Sequence, residues 1–117
     1  MRILIVDDDA QMRQMLGEYL SPSHDVSMLS DGKNAQTLLM APDHHFDIVL
    51  LDIMIPRLKG TALLEQMQLA NSKTKVILTS GQTELQRFVG HPNVVGVLEK
   101  PFSLDDFSRK LKTYAAA

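Results

Sequence analysis

Four places in this chain carry residues whose types suit phosphate or metal chemistry: Asp7-Asp8-Asp9, Asp52, Thr79-Ser80 and Glu99-Lys100-Pro101. Two carboxylates about 5 Å apart repel by roughly 3 kcal/mol at an effective dielectric of ~20. A fold that gathers Asp7, Asp8 and Asp52 therefore needs a relieving cation or a raised pKa. Lys100 offers one positive charge. A hard divalent cation such as Mg²⁺ offers the rest, because carboxylate oxygens and water are its preferred ligands. Such a cation also neutralises an incoming phosphoryl group, whose transfer rests on positioning and charge stabilisation. Thr79 adds a hydroxyl donor for phosphoryl oxygens and Lys100 a cationic one. Singly, each residue has a plainer use: the Asp run as charge at a helix start, Asp52 as a turn or cap, Lys-Pro as a turn. Their joint occurrence argues for a site.

The elements that must position them are short apolar runs. Residues 2–6, 48–51, 76–78 and 94–98 (RILIV, IVLL, VIL, VVGVL) each end on one of the four chemical positions. The runs are continuous rather than alternating, as in strands covered on both faces. Val26-Ser27-Met28-Leu29 reads as a further, edge strand. Between them lie helical stripes: Met12, Met15, Leu16, Tyr19 and Leu20; Leu38 and Leu39 within 32–40; Leu63, Leu64 and Met67 after Gly60. Leu85, Phe88 and Val89 suggest a short fourth helix. Leu104, Phe107, Leu111 and Tyr114 mark a fifth, with Ser103 and Asp106 at capping-box spacing. Five strand–helix alternations imply an α/β fold: a doubly wound parallel sheet with helices on both faces. Ligands of such sheets sit beyond the carboxyl ends of the strands, where the four chemical endings fall.

The bulk numbers exclude several classes. At 117 residues a single domain over 1–117 is expected. A net charge of −2 gives no reason to expect nucleic acid or an acidic membrane surface. Without cysteine there is no disulfide or thiolate metal site. No apolar stretch approaches the roughly 20 residues of a membrane span, and no signal-like segment opens the chain, so a cytoplasmic domain is expected. No Gly-rich nucleotide loop occurs. His24, His44, His45 and His91 sit in turns and read as solvated, and the helix-stripe methionines as core filler.

Over essentially its whole length the chain resembles the receiver domain of two-component response regulators, the CheY-like fold. Ile3 to Asp9 resembles the family's acidic-pair strand. Asp52-Ile53-Met54-Ile55-Pro56-Arg57-Leu58-Lys59-Gly60 matches its phosphoacceptor loop, with proline four and glycine eight residues after the aspartate. Thr79-Ser80 matches the switch hydroxyl and a small residue, and Lys100-Pro101-Phe102 the lysine loop. The resemblance implies a flavodoxin-like (βα)5 sheet of order 2-1-3-4-5. It implies that Asp52 accepts a phosphoryl group from a sensor histidine kinase or phosphotransfer protein. Asp7, Asp8, Asp52 and the Met54 backbone carbonyl would hold Mg²⁺, and Thr79 and Lys100 would contact the phosphoryl group. The Lys100–Pro101 peptide would be cis, and the chain would promote its own phosphorylation and dephosphorylation rather than act as a turnover enzyme. Output by altered protein contacts to an unidentified partner is implied, with a phosphorylation-linked dimer allowed but not required.

Asp9 reads as charge for the first helix, and Gly60 as a position needing positive φ or close backbone approach. Met54 and Gly81 flank the phosphoryl position and cannot orient water by hydrogen bonding, so a long-lived phosphoryl state is expected. One position departs from the family: three residues before Lys100, where Tyr or Phe is usual, stands Val97, which cannot make the aromatic rotamer switch. Two other readings use the same residues. One is a receiver-like binding module that does not switch. The other is an aspartyl-phosphate phosphatase of the haloacid dehalogenase type using Asp7 and Asp9, although Gln11 stands where that motif has threonine.

Overall fold

The computed structural model describes residues 1–81 and 85–116, the last two by their backbone only. The apolar runs are strands β1 (Arg2–Val6), β2 (Asp25–Leu29), β3 (Ile48–Asp52), β4 (Lys75–Ser80) and β5 (Val94–Glu99). They form one parallel sheet in the order β2-β1-β3-β4-β5, as expected. Helices α1 (Ala10–Leu20), α2 (Gly32–Leu39), α3 (Gly60–Leu69) and α4 (Leu104–Ala116) cover its two faces.

Continuous hydrophobicity feeds both faces because successive strand side chains point opposite ways. Leu4, Val6, Val49, Leu51, Val76 and Leu78 pack with Ala35 and Leu39 of α2 and Leu63, Leu64 and Met67 of α3. Ile3, Ile5, Ile48, Leu50 and Ile77 pack with Leu16 and Leu20 of α1 and Phe107 and Leu111 of α4. Central β3 is buried throughout, whereas edge strand β2 is buried nowhere along its length, which is why its pattern is the weakest. Each fully buried aliphatic side chain contributes about 1.5–3 kcal/mol.

Three helix starts follow local side chains, whereas α3 begins after Lys59 without a side-chain cap. Asp9 caps α1 by accepting from the amides of Gln11 and Met12. Asp31 caps α2 by accepting from the Asn34 amide at 2.8 Å. Ser103 and Asp106 form the expected reciprocal box: the Asp106 amide donates to Ser103 Oγ at 3.0 Å and the Ser103 amide to Asp106 Oδ2 at 3.2 Å.

Three expectations are corrected. The fourth helix is a single 3₁₀ turn, Leu85–Phe88, so the described residues form five strands and four α-helices. Gly90 and Pro92 close that turn before a helix can propagate, with the His91 amide donating to Phe88 O and Val94 to His91 O. Leu85 is buried, but Val89 points to solvent. On α1, Tyr19 also leaves the buried stripe, and its hydroxyl donates to Ser108 Oγ of α4 at 2.9 Å.

A bulge interrupts β5. Val94 pairs with Val76, yet Gly96, not Val95, pairs with the next residue, Ile77. Val95 is the extra residue and is exposed. Its insertion puts both Val94 and Val97 on the α2/α3 side of the sheet.

Candidate functional site

Strand parity aims the chemical residues. Carried one step beyond Ile5, Leu50, Ile77 and Leu98, the alternation places Asp7, Asp52, Thr79 and Lys100 on one side, above the α1/α4 core. The ladder itself continues that far: the Asp7 amide donates to Leu29 O and the Lys100 amide to Ser80 O. Asp52 and Thr79 are direct partners on adjacent strands.

At the carboxyl edge, Lys100 Nζ donates to Asp52 Oδ2 at 2.7 Å and to Asp7 Oδ2 at 2.8 Å. The second oxygen of each carboxylate faces backbone: Asp52 Oδ1 accepts from the Met54 amide and Asp7 Oδ1 from the Asp9 amide, both at 2.9 Å. Asp7 and Asp52 are buried, while Asp8 and the Met54 side chain lie open to solvent. Burial disfavours the Lys100 ammonium, but its hydrogen bonds to Asp52 and Asp7 and their charges outweigh this and hold its pKa above the usual lysine range. The Lys100–Pro101 peptide is cis.

One ligand oxygen from each of Asp7, Asp8 and Asp52 lies within 4.8 Å of the others. Three carboxylates against one ammonium leave a negative excess on hard oxygen donors, which fits a divalent cation of the Mg²⁺ type. Thr79 is 1% exposed, and its Oγ1 has no hydrogen-bond partner among the described residues. A buried hydroxyl left unpaired costs about 1–3 kcal/mol, so an oxygen placed beside this one gains a ready donor.

The glycine after the acceptor loop is set by close approach, since no glycine among the described residues has positive φ. A Cβ on Gly60 would lie 2.7 Å from Asp52 O, because α3 begins against the end of β3.

Asp9 is spent on capping α1 and stands outside the carboxylate cluster, which removes the second acid of the phosphatase reading. No histidine joins the cluster among the described residues. His44 and His45 line a cavity of about 480 Å³ at the amino ends of β3 and β4, away from the carboxylates. His91 Nδ1 accepts from the Asn93 amide and His24 Nδ1 sits 3.2 Å from the terminal amine. Burial lowers the pKa of both.

Two contributors were not singled out from the sequence. Arg13 Nη1 donates to Asp7 O at 2.8 Å, fixing the backbone beside the cluster. Asp31 meets Arg57 at 3.2 Å across 26 residues. The cap signal at Asp31 is readable locally, but its ionic partner is not.

A family model described as the response regulator receiver domain matches residues 3–112. The chain belongs to that family. Similar receiver-bearing proteins include the transcriptional regulatory protein MalR of Bacillus subtilis, 31% identical over 97% of this chain and 52% of its own length. CpxR of Escherichia coli, also a transcriptional regulatory protein, is 33% identical over 87% of this chain and 44% of its own. The chain thus spans about half the length of the curated relatives it matches. Among solved structures, the receiver domain of a Francisella response regulator aligns with a TM-score of 0.83 at 27% identity, covering 98% of this chain and 97% of that one. TrrA of Thermotoga maritima, solved with Mg²⁺ and BeF, shares the receiver fold at a TM-score of 0.80 and 24% identity, over 96% of both chains. No helix among the described residues of this receiver domain is long and apolar enough to cross a membrane.

Proposed function

We propose that residues 1–117 form one cytoplasmic receiver domain that works as a phosphorylation-controlled switch. Asp52 is the phosphoacceptor, and a sensor histidine kinase or phosphotransfer protein is the donor. The observation that carries this reading is the buried Thr79 hydroxyl directly across from Asp52, without a partner among the described residues and placed to donate to a phosphoryl oxygen added there.

In the transfer, an oxygen of Asp52 forms the new O–P bond as the donor's N–P bond breaks, and the electron pair of that bond stays on the donor's imidazole nitrogen. Asp7, Asp8, Asp52 and the Met54 carbonyl are the residues to hold Mg²⁺. When bound, Mg²⁺ supplies the positive charge that the phosphoryl oxygens need in transit. Lys100, already aimed by Asp7 and Asp52, pairs with the phosphoryl group after transfer. Thr79 turns its hydroxyl toward the same group and draws β4 with it. The acceptor then carries a charge near −2 instead of −1, and this biases a two-state surface.

Val97 faces Leu78 beside Thr79 and lines a groove of about 320 Å³ with Val89, Val94 and Val95. An aliphatic side chain there moves the output signal by strand displacement rather than by an aromatic flip. Half-buried valine is also the one feature that favours a non-switching binding module. Incubation with Mg²⁺ and acetyl phosphate decides: a mass gain of one phosphoryl group that is absent from Asp52→Ala supports the switch, and no gain in the unmodified chain leaves the module. Slow loss of the label afterwards is expected, since neither Met54 nor Gly81 presents a group to orient water.

A further inference from the structure

The loop between β3 and α3, residues 53–59, has an attachment that the phosphoryl chemistry alone does not require. Arg57 sits at φ 71°, and the Leu58 amide donates back to Pro56 O at 2.9 Å. Together these define a γ-turn with positive φ, a rare and strained geometry for an arginine. The same Pro56 carbonyl accepts from the Gly32 amide, at the first residue of α2, also at 2.9 Å. The loop presses so closely there that a Cβ on Gly32 would fall 1.9 Å from Leu58 O.

Side chains close the same seam. Arg57 Nη1 donates to Asp31 Oδ2 at 3.2 Å, while Asn34 holds Asp31 through both its backbone amide (2.8 Å) and its side-chain amide (3.0 Å). The Asp31 side chain is only 12% exposed and that of Arg57 60%. A pair so wetted on one side stabilises the fold little, so its use is better sought in placing the loop. The Asp31 carboxyl lies below its ordinary range, first because it accepts from the Asn34 backbone and further because of Arg57, so it is ionised wherever the pair matters.

We propose that Arg57 is a positioning residue for the metal: its ion pair with Asp31 holds the strained turn closed, and so fixes the Met54 carbonyl three residues upstream. The inference rests on the reading that Met54 is an Mg²⁺ ligand. The loop is anchored on three sides, one of them where the Gly60 amide donates to Ile53 O at 2.9 Å. On the second, the Met54 amide donates to Asp52 Oδ1 and the Ile53 amide to Thr79 O; the third is the seam with α2. Losing the ion pair leaves the α2 seam to the Gly32–Pro56 backbone bond, so the loop is held less firmly downstream of Met54 and the order lost must be regained when metal binds.

Calorimetric Mg²⁺ titration of the whole chain tests this with Asp31→Asn and Arg57→Asn. Asparagine keeps the helix cap at 31 and tolerates positive φ at 57, so each variant removes the ion pair while sparing the backbone. Each is expected to bind Mg²⁺ about threefold to tenfold more weakly, less than the loss seen when a direct outer-shell partner is removed. The double variant should lose no more than either single one, and Arg57→Lys should recover part of the affinity. Metal-free melting temperatures should stay close to that of the unmodified chain. Unchanged affinity in both single variants, or additive losses in the double, overturns the latch while leaving the metal reading intact. No Mg²⁺ binding by the unmodified chain overturns the metal reading and the latch with it.

Discussion

Replacing Lys100 by methionine tests the electrostatics of the site most directly. Methionine keeps most of the aliphatic stem and deletes the ammonium that joins Asp7 and Asp52. Their ligand oxygens lie within 4.8 Å of each other, which at an effective dielectric of ~20 amounts to about 3 kcal/mol of uncompensated repulsion. That agrees with the roughly 3–5 kcal/mol lost when one partner of a buried pair is removed. For a chain of this size the melting temperature should fall by about 10 °C without metal. Mg²⁺ should then restore much of the loss, since a ligand at a hundred times its Kd contributes about 2.7 kcal/mol. The unmodified chain should gain less, because its ammonium already occupies the oxygens that the cation needs. Calorimetric or circular-dichroism melts with 0 and 10 mM Mg²⁺ (a concentration on the order of a hundred Kd for a site near 0.1 mM) read out both effects. A metal-free loss under about 1 kcal/mol, or an equal Mg²⁺-induced gain in both proteins, would refute this account of Lys100.

The same pair sets a pH dependence. Because the folded-state pKa of Lys100 is raised, its contribution is complete below the unfolded lysine value and is lost as pH rises through the folded one. The stability gap between the unmodified chain and Lys100→Met should therefore stay flat from about pH 7 to 9 and shrink only above the ordinary lysine pKa near 10.5, measured by urea unfolding at each pH. Thr79→Val removes the unpaired buried hydroxyl without changing shape. It should raise the urea-unfolding stability of the unphosphorylated protein by about 1 kcal/mol while weakening the phosphorylation-linked change in amide exchange along β4 and β5. Gly60→Ala forces a methyl against Asp52 O and should cost about 2–3 kcal/mol and slow acetyl phosphate labelling of Asp52. Wild-type stability in that variant would show that α3 can retreat from β3.

What the sequence disclosed and what it did not divide along a physical line. Asp7, Asp52, Thr79 and Lys100 were readable because each ends its own apolar run, and a parallel sheet brings strand ends together whatever the intervening chain does. The box at Ser103 and Asp106 was readable because its donors and acceptors lie three residues apart. The 3₁₀ turn in place of a helix turned on how Gly90 and Pro92 limit a segment already short of periodic residues. Tyr19 falls on the right stripe by spacing, yet the helix packs on a narrower arc and leaves its ring to reach Ser108. The Arg57–Asp31 seam joins two loops 26 residues apart, and no local pattern marks an arginine for positive φ.

The β5 bulge gives the site an uneven tolerance to changes in chain length. Losing one residue from an unbulged strand inverts the facing of everything after it, so a deletion within β1 or β3 would turn Asp7 or Asp52 away from its neighbours. In β5 the extra residue at Val95 is a reserve of one. A single deletion before Leu98 can be absorbed by straightening the strand, leaving Leu98 against Thr79 and Lys100 still in phase. Lengthening by one has no such outlet. Across divergent descendants of this chain, single-residue losses should therefore collect ahead of Lys100 and be missing ahead of the two aspartates.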